Sequence, residues 1–254
     1  MTDNDFASKV VVVTGGNSGI GRAVATEFAR RDAVVVVAAR RQESGEKAVA
    51  ELTASGATAC FVQADISRAD DVKRLVDHCV SQLGGIDIAV NNAGVEGTPF
   101  VATADYEESV FDEVVGINLK GVWLCMKYQI PAMLARGGGA IVNMSSVAGL
   151  IGGRIGAAYF ASKHGVIGLT KAAAYEYADQ GIRINAVCPA AIKTEMIERE
   201  FSQVEGMEEA VMSRHPMGRI GTPEEVASAV MWLCSEGAGF VTGHSLVVDG
   251  GRLL

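Results

Sequence analysis

The sequence predicts an α/β fold built on a doubly wound, parallel β-sheet of about seven strands with helices on both faces. Short apolar runs alternate with amphipathic, helix-like stretches along the whole chain. The runs are continuously apolar, which is typical of parallel strands that helices cover on both faces. Of the 254 residues, 49% are hydrophobic, so we expect one large domain spanning residues 1–254.

The strands are expected where the apolar runs are short and β-branched. In chain order, these runs are Val10–Val13, Val34–Val37, Ala59–Val62, Ile86–Val90, Ala140–Asn143, Arg183–Val187 and Ser245–Val248. The predicted helices are Ile20–Arg31, Glu43–Ser55, Ala69–Leu83, Glu107–Ala135, Ala157–Asp179 and Glu224–Glu236. Thr222 followed by Pro223 and two glutamates is typical of a helix start. Residues 190–217 break the alternation, and so long a connection is often functional, so a substrate lid is expected there.

Composition excludes several classes of protein. The 22 basic and 30 acidic residues give a net charge of −8 without a basic cluster, which argues against nucleic acids and anionic membranes as partners. No apolar run approaches the ~18 residues of a membrane span, and no export signal is visible. A cytoplasmic protein with reduced, buried cysteines is therefore expected. The four histidines lack metal-ligand spacing, so no catalytic metal is expected.

A glycine-rich turn joins the first predicted strand to the first helix, in Thr14-Gly15-Gly16-Asn17-Ser18-Gly19-Ile20-Gly21. Glycines let the chain turn sharply, let backbone N–H groups approach a pyrophosphate, and let the helix pack closely on the strand. The helix N-terminus adds partial positive charge. A Rossmann-type dinucleotide site is therefore predicted, with contacts from Gly15, Asn17, Ser18, Gly19, Ile20 and Gly21.

The end of the second strand bears on the choice of cofactor. Ala39 is followed by Arg40 and Arg41, and no carboxylate stands where one would bind the ribose 2′-OH of NAD. Guanidinium groups suit a 2′-phosphate, so we expect both arginines to bind NADP, with NAD possible. The alternative is a solvated charge pair at a strand end.

Two further strand ends are candidate cofactor contacts, because doubly wound sheets bind ligands at the carboxyl ends of their strands. Asp65 and Ile66 follow the third strand. Asn91-Asn92-Ala93-Gly94 follows the fourth, and we expect Asn92, Ala93 and Gly94 to contact the cofactor. A plain turn is the alternative, although two adjacent amides near a core need hydrogen-bond partners.

Tyr159 and Lys163 are the candidate reaction centre. Their i, i+4 spacing puts them on one helix face, where an ammonium would lower the pKa of a tyrosine and make its proton transferable at neutral pH. A serine at the end of the fifth strand could bind the substrate oxygen beside the tyrosine. Taken alone, such a tyrosine–lysine pair is usually an accident of the helix surface.

Together these motifs resemble the short, about 250-residue branch of the short-chain dehydrogenase/reductase family, over essentially the whole chain and in order. The resemblance implies a catalytic tetrad of Asn118, Ser146, Tyr159 and Lys163. Ser146 is preferred over Ser145 because it lies 13 residues before the tyrosine, as the family pattern requires, and Ser145 is expected to point into the structure.

The resemblance also implies roles. Tyr159 exchanges a proton with the substrate oxygen, Ser146 orients that oxygen, and Lys163 supports the tyrosine and holds the nicotinamide ribose. Asn118 positions a water next to the lysine, and Asp65 contacts the adenine. Ile192 and Thr194 are carried over as contacts of the carboxamide, and Pro189 as a further cofactor contact.

The chain departs from the family after the sixth strand, where Ala190 follows Pro189 in place of the common glycine. Ala190 would narrow the pocket or restrict the loop, which puts the shape of the loop in doubt.

The substrate wall is expected to be mainly apolar, which suits an alcohol or ketone. The residues expected to form it are Val95, Glu96, Val147 to Leu150, Phe160, Ala190 and segment 195–217, with Met196, Ile197, Phe201, Met207 and Met212. The apolar spacing in that segment fits either a flexible lid or ordinary packing of a short amphipathic helix. No arginine cluster is expected in the pocket, which disfavours phosphorylated or coenzyme A-linked substrates. The sequences around Gly94 and Lys163 resemble family members acting on cyclic or aliphatic secondary alcohols and ketones.

An alcohol/ketone oxidoreductase is the leading hypothesis. A non-catalytic nucleotide-sensing protein on the same fold is the alternative, but the tetrad that such a protein would lose is present. An epimerase or dehydratase of the longer sugar-nucleotide branch would need an additional C-terminal substrate domain.

Apolar helices also predict assembly. The tyrosine helix and the Glu107–Ala135 helix are apolar over much of their circumference, and one sheet face cannot cover them. A homodimer through these helices is predicted, and the family resemblance extends it to a homotetramer.

Overall fold

The computed structural model describes residues 6–202 and 204–254. Within these ranges, seven strands form one parallel sheet. They are β1 (Val10–Thr14), β2 (Val34–Ala39), β3 (Ala59–Gln63), β4 (Ile88–Asn91), β5 (Gly139–Met144), β6 (Ile182–Pro189) and β7 (Ser245–Val248). Their order in the sheet is β3-β2-β1-β4-β5-β6-β7. The predicted doubly wound fold is confirmed, and the strand order reverses between β1 and β4, where such sheets bind ligands.

Nine α-helices flank this sheet in the described part of the chain. They are α1 (Gly19–Ala29), α2 (Gln42–Ala54), α3 (Ala69–Leu83), α4 (Glu108–Val115), α5 (Val122–Leu134), α6 (Ala157–Tyr177), α7 (Glu195–Phe201), α8 (Met207–Met212) and α9 (Pro223–Cys234). Helices α1, α2 and α9 pack on one sheet face. Helices α3, α5 and α6 pack on the other. Two short helices, α7 and α8, lie in segment 190–217, where the sequence predicts a long connection.

The strands are apolar throughout because each side chain meets one of these two helix layers. In β1, Val11 and Val13 belong to the core under α1 and α9. Val10 and Val12 belong to the core under α3 and α5. This burial on both faces is why the sequence shows continuous apolar runs.

One predicted helix is divided. The Glu107–Ala135 stretch forms α4 and α5, with a π-helical turn, Gly116–Gly121, between them. This correction matters because the turn carries Asn118, a predicted member of the tetrad.

Both ends of α9 are well defined. Thr222 and Glu225 form a reciprocal capping box at its start, as the sequence indicates. Its C-terminal carbonyls are satisfied by Arg183 of β6, whose guanidinium donates to the Leu233 oxygen at 2.6 Å and to the Ser235 oxygen at 3.2 Å. In the described ranges, no helix has the length and apolar character required to cross a bilayer.

Candidate active site

A cavity of about 910 Å³ opens at the carboxyl ends of the strands. Most predicted site residues line it. Those residues are Gly15, Asn17, Ser18, Gly19, Ile20, Arg40, Arg41, Asp65, Ile66, Asn92, Ala93, Gly94, Ser146, Tyr159, Lys163, Pro189, Ile192 and Thr194. The fold therefore brings the glycine turn and the tyrosine helix, the two halves of the predicted site, to the same cavity.

The glycine turn has the shape that a phosphate group requires. Gly15 and Gly19 have φ angles of +64° and +52°, which glycine adopts without steric cost. Ser18, at the N-cap of α1, makes no side-chain capping bond, so backbone N–H groups of the first turn are open to an anion. Gly21 has a different task, because a Cβ there would lie 2.2 Å from the Gly15 oxygen, so it allows close packing beneath the turn.

Thr14 joins the glycine turn to the end of β4, a role that sequence reasoning missed. The fully buried Thr14 hydroxyl accepts hydrogen bonds from the backbone N–H groups of Asn92, at 3.0 Å, and Ala93, at 3.1 Å. The side-chain amide of Asn92 donates back to the backbone oxygen of Thr14 at 3.0 Å. These bonds fix the two strand ends that face the cofactor region.

Asn91 is structural rather than ligand-facing. Its buried amide donates to Gln129 of α5 at 3.1 Å and to Asn143 of β5 at 2.9 Å, and Asn143 donates in turn to Thr170 of α6 at 3.0 Å. The two adjacent amides of the Asn-Asn motif therefore find separate partners, as their cost near a core demands.

At the predicted ribose end, Arg40 and Arg41 are exposed and line the cavity. The Gln63 amide donates to the Arg40 oxygen at 2.9 Å, which fixes the chain where β2 ends. Beside them, the Asp65 carboxylate accepts from the N–H and hydroxyl of Ser67 at 3.0 and 2.7 Å.

Tyr159 and Lys163 face the other end of the cavity from α6. Lys163 is buried, and its Nζ donates to the Met144 oxygen of β5 at 3.0 Å. Burial lowers the pKa of Lys163 to about 8, because the charged form is costly away from water. The ammonium form still predominates at pH 7.

The two adjacent serines divide as predicted. The buried Ser145 hydroxyl donates to the Lys163 oxygen at 2.8 Å, inside the structure. Ser146 lines the cavity, where its hydroxyl donates to the Pro189 oxygen at 3.3 Å and accepts from the Ala148 N–H at 3.1 Å.

Asn118 lies behind the cavity wall. Its Oδ1 accepts from the Val95 N–H and its Nδ2 donates to the Val95 oxygen, both at 2.8 Å. A Cβ on Gly94 would lie 3.1 Å from this Oδ1 and 3.6 Å from the Lys163 Nζ, so Gly94 packs closely against both side chains.

The loop after β6 passes over the glycine turn. The Thr194 Cγ2 would lie 3.3 Å from a Cβ on Gly19, and the Thr194 hydroxyl donates to the Ile192 oxygen at 3.2 Å. Ala190, the departure from the family pattern, is held by its N–H on the Val248 oxygen at 3.1 Å. The loop therefore closes the cavity from the side of β7.

Helices α7 and α8 contribute much of the cavity lining where the substrate wall is predicted. The apolar residues that they present are Met196, Ile197, Phe201, Met207 and Val211. Val211, not Met212, faces the cavity from α8, and Leu150 is exposed instead of lining the wall. An ion pair of 2.9 Å joins Arg199 of α7 to Glu96 beyond β4.

The sequence analysis expects no arginine cluster in the pocket, and single arginines nevertheless line the cavity. Besides the arginines after β2, Arg154, Arg199, Arg214 and Arg252 line the cavity. They come from four separate segments, so no local pattern in the sequence could have indicated them.

A nicotinamide dinucleotide fits these residues. The positive-φ glycines and the open amides of α1 suit its pyrophosphate, and the lysine at the far end suits its second ribose.

A family model described as enoyl-(acyl carrier protein) reductase matches residues 15–252. The chain belongs to the short-chain dehydrogenase/reductase family. Membership of this short-chain dehydrogenase/reductase family implies an NAD(P) cofactor and an oxidoreductase activity.

Similar proteins in this family cover nearly the full chain. Cyclohexanol dehydrogenase of Acinetobacter sp. (strain SE19) is 45% identical over 98% of this chain and 97% of its own. A-factor type gamma-butyrolactone 1'-reductase (1S-forming) of Streptomyces virginiae is 44% identical over 99% and 98%. The crystal structure of levodione reductase superposes with a TM-score of 0.93 at 37% identity, over 97% of this chain and 98% of that one.

Proposed function

We propose that this protein is an NAD(P)(H)-dependent oxidoreductase that interconverts a secondary alcohol and a ketone, with Tyr159 as the acid/base. The observation that carries the proposal is the buried Lys163 on the same helix face as Tyr159, with Ser146 lining the same cavity. The relatives named as a cyclohexanol dehydrogenase and as reductases support this reaction class.

Each residue has a task that follows from its position. Tyr159 gives a proton to the carbonyl oxygen in reduction and takes it back in oxidation. The Ser146 hydroxyl orients and polarises that oxygen. The ammonium of Lys163 stabilises the negative charge of the phenolate, and Asn118 positions the water next to the lysine. When bound, the nicotinamide supplies the hydride chemistry.

The preferred cofactor is NADP(H). Arg40 and Arg41 lie beside the predicted ribose site, while Ala39 is small and uncharged and leaves room for a 2′-phosphate. NAD(H) remains the weaker cofactor in this proposal. Contacts from the glycine turn, the ends of β3 and β4, and the loop after β6 hold either form.

The substrate is a mainly apolar cyclic or aliphatic secondary alcohol or ketone. The apolar side chains of α7 and α8 form its wall, and segment 190–217 acts as the lid. The arginines of the cavity add polar contacts at its edge. The protein acts in the cytoplasm as a homotetramer. The exposed aromatic side chains of α5 and α9 support the assembly.

A panel of cyclic and aliphatic ketones and secondary alcohols, each assayed with NADPH and NADH by nicotinamide absorbance, tests the proposal. Turnover of several members is expected, with NADPH preferred. A protein that binds NADPH, by fluorescence titration, but turns over no member of the panel would favour the non-catalytic nucleotide-sensing alternative.

A further inference from the structure

His215 is a buried side chain of the pocket with an unused hydrogen-bonding atom. It follows α8, is 4% exposed and lines the cavity. Its Nδ1 lies 2.8 Å from the Val211 oxygen, and since a carbonyl only accepts, Nδ1 carries the proton. In the neutral ring, Nε2 is therefore an acceptor. Nε2 is buried and finds no hydrogen-bond partner among the residues that the structure describes.

The ring is held by the bond from its Nδ1 to the Val211 oxygen, and the backbone around it is hydrogen-bonded as well. The His215 N–H donates to the Met212 oxygen at 2.9 Å, and the Gly218 N–H donates to the His215 oxygen at 2.7 Å. The C-terminal turn packs against the ring, because a Cβ on Gly250 would lie 3.8 Å from the His215 Cδ2. Buried polar atoms in native proteins are generally paired, so an unpaired acceptor on a side chain that lines the cavity indicates a ligand donor.

The charged groups nearby narrow the chemistry of that donor. Arg214 and Arg252, the latter from the C-terminal turn, line the same cavity and can only donate. The Asp249 carboxylate of that turn is already bonded to the N–H groups of Gly251 and Leu253, at 2.9 and 2.8 Å. A carboxylate ligand could accept from the arginines but would leave Nε2 unpaired. A hydroxyl both donates and accepts, so it suits this wall.

We propose that His215 forms a hydroxyl-binding subsite of the substrate pocket, in which Nε2 accepts a hydrogen bond from a second hydroxyl group of the alcohol or ketone substrate. The inference rests on the proposed oxidoreductase function and deepens it. The substrate class becomes a hydroxylated secondary alcohol or ketone, held at one end by Tyr159 and Ser146 and at the other by His215. His215 is a specificity-determining residue in this arrangement.

The test compares matched substrates and variants. The substrates are 2-alkanones of four to ten carbons and their ω-hydroxy counterparts, which probe the reach to His215 by length. The variants are His215→Phe, which removes the acceptor, and His215→Gln, which restores one. His164→Phe is the control, because its ring makes the same bond to a backbone carbonyl four residues earlier, at 2.9 Å, on an exposed surface. Circular dichroism and Tm verify that each variant folds.

For the wild type, we expect kcat/KM to favour the hydroxylated member at one or more lengths, by about threefold to tenfold for one hydrogen bond. His215→Phe abolishes that preference, measured as the ratio of kcat/KM between the two members of each matched pair, and His215→Gln retains part of it. A wild type that shows no preference at any length, or a His215→Phe variant that slows both series equally, overturns the subsite while leaving the proposed reaction intact. Failure of the wild type to reduce any ketone of either series overturns the proposed function together with the subsite.

Discussion

The Nζ atom of Lys163 lies 5.5 Å from the centroid of the Tyr159 ring, one helical turn away on α6. The bond from Nζ to the Met144 oxygen, at 3.0 Å, anchors the ammonium to β5 and not only to its own helix. The lysine therefore keeps its place when the tyrosine hydroxyl is removed, and the two side chains can be tested separately.

Tyr159→Phe is expected to lower turnover by orders of magnitude while leaving cofactor binding nearly intact, because it removes the proton donor and keeps the ring. Tyr175→Phe is the control, since Tyr175 lies on the same helix and is 92% exposed. The measurements are kcat with the best ketone of the panel and a fluorescence titration of NADPH. A Tyr159→Phe variant with more than about a tenth of wild-type turnover would show that another group transfers the proton.

Lys163→Met is expected to change the pH dependence of stability. Below pH 8, folded and unfolded chains both carry the lysine proton, and the folded state bears the full cost of the buried charge. Above pH 8, the folded lysine loses its proton while the unfolded one, with its ordinary pKa of 10.5, keeps it, so the free energy of unfolding of the wild type rises with pH.

The methionine variant lacks this charge at every pH. It should be more stable than the wild type at pH 7 by up to about 3 kcal/mol, and the difference should shrink towards pH 10. Urea unfolding at both pH values measures it, with Lys171→Met, an exposed lysine of the same helix, as the control. Equal differences at pH 7 and pH 10 would contradict a lowered pKa for Lys163.

Combining Arg40→Ala with Ala39→Asp is expected to reverse the cofactor preference. A charge-assisted pair with the 2′-phosphate predicts that the wild type favours NADPH by about one to two powers of ten in kcat/KM. The new carboxylate repels the phosphate and suits a 2′-OH. Lys47→Ala, which removes an exposed cation from α2, should leave the ratio unchanged. A wild type with a higher kcat/KM for NADH would refute this interpretation of β2.

Substitutions of two exposed aromatic residues should divide the proposed tetramer. Trp123 of α5 is 42% exposed, and Phe240, in the turn between α9 and β7, is fully exposed. Each substitution, Trp123→Glu or Phe240→Glu, would bury a charge in one of the two kinds of interface that a tetramer needs. Each should therefore yield a smaller particle in light scattering. Val80→Glu, on α3, is the control for an exposed apolar residue elsewhere. A wild type with the mass of one chain at micromolar concentration would exclude the assembly.

Arg199→Ala is expected to raise KM by a few-fold, because the ion pair with Glu96 holds α7 over the cavity. The Arg199 side chain is 57% exposed, so the effect is that of a surface pair and should fade at high salt. Exchange of the two charges, Glu96→Arg with Arg199→Glu, should recover part of the loss. If the exchange recovers nothing, the pair does not hold the lid.

Much of the fold follows from local sequence pattern. Continuous apolar runs locate all seven strands to within a few residues, since helices cover both sheet faces. The start of α9 could be read residue by residue, because the capping box of Thr222 and Glu225 uses only neighbours in the chain. The choice of Ser146 over Ser145 came instead from the family resemblance, which fixes the spacing to Tyr159.

What the sequence missed depends on contacts between distant segments. The π-helical turn cannot be seen in the apolar pattern because Asn118 is bonded to Val95, 23 residues earlier. Arg183 completes the end of α9 from another element, 50 residues away from Leu233. The arginines of the cavity come from separate segments of the chain, so the pocket seemed more apolar than it is.

Because of the π-helical turn, the number of residues between α4 and α5 determines which way the side chains of α5 face. One additional residue in a turn rotates everything after it by about 100° about the helix axis. Deleting one residue between Gly116 and Gly121 would give a regular α-helix. Either Asn118 would then lose its hydrogen bonds to the Val95 backbone, or the Trp123 side chain would turn towards the sheet. The alignment of the Asn118 amide with the outward-facing surface of α5 is thus set by a residue count, which conservative substitution leaves intact and a single-codon deletion does not.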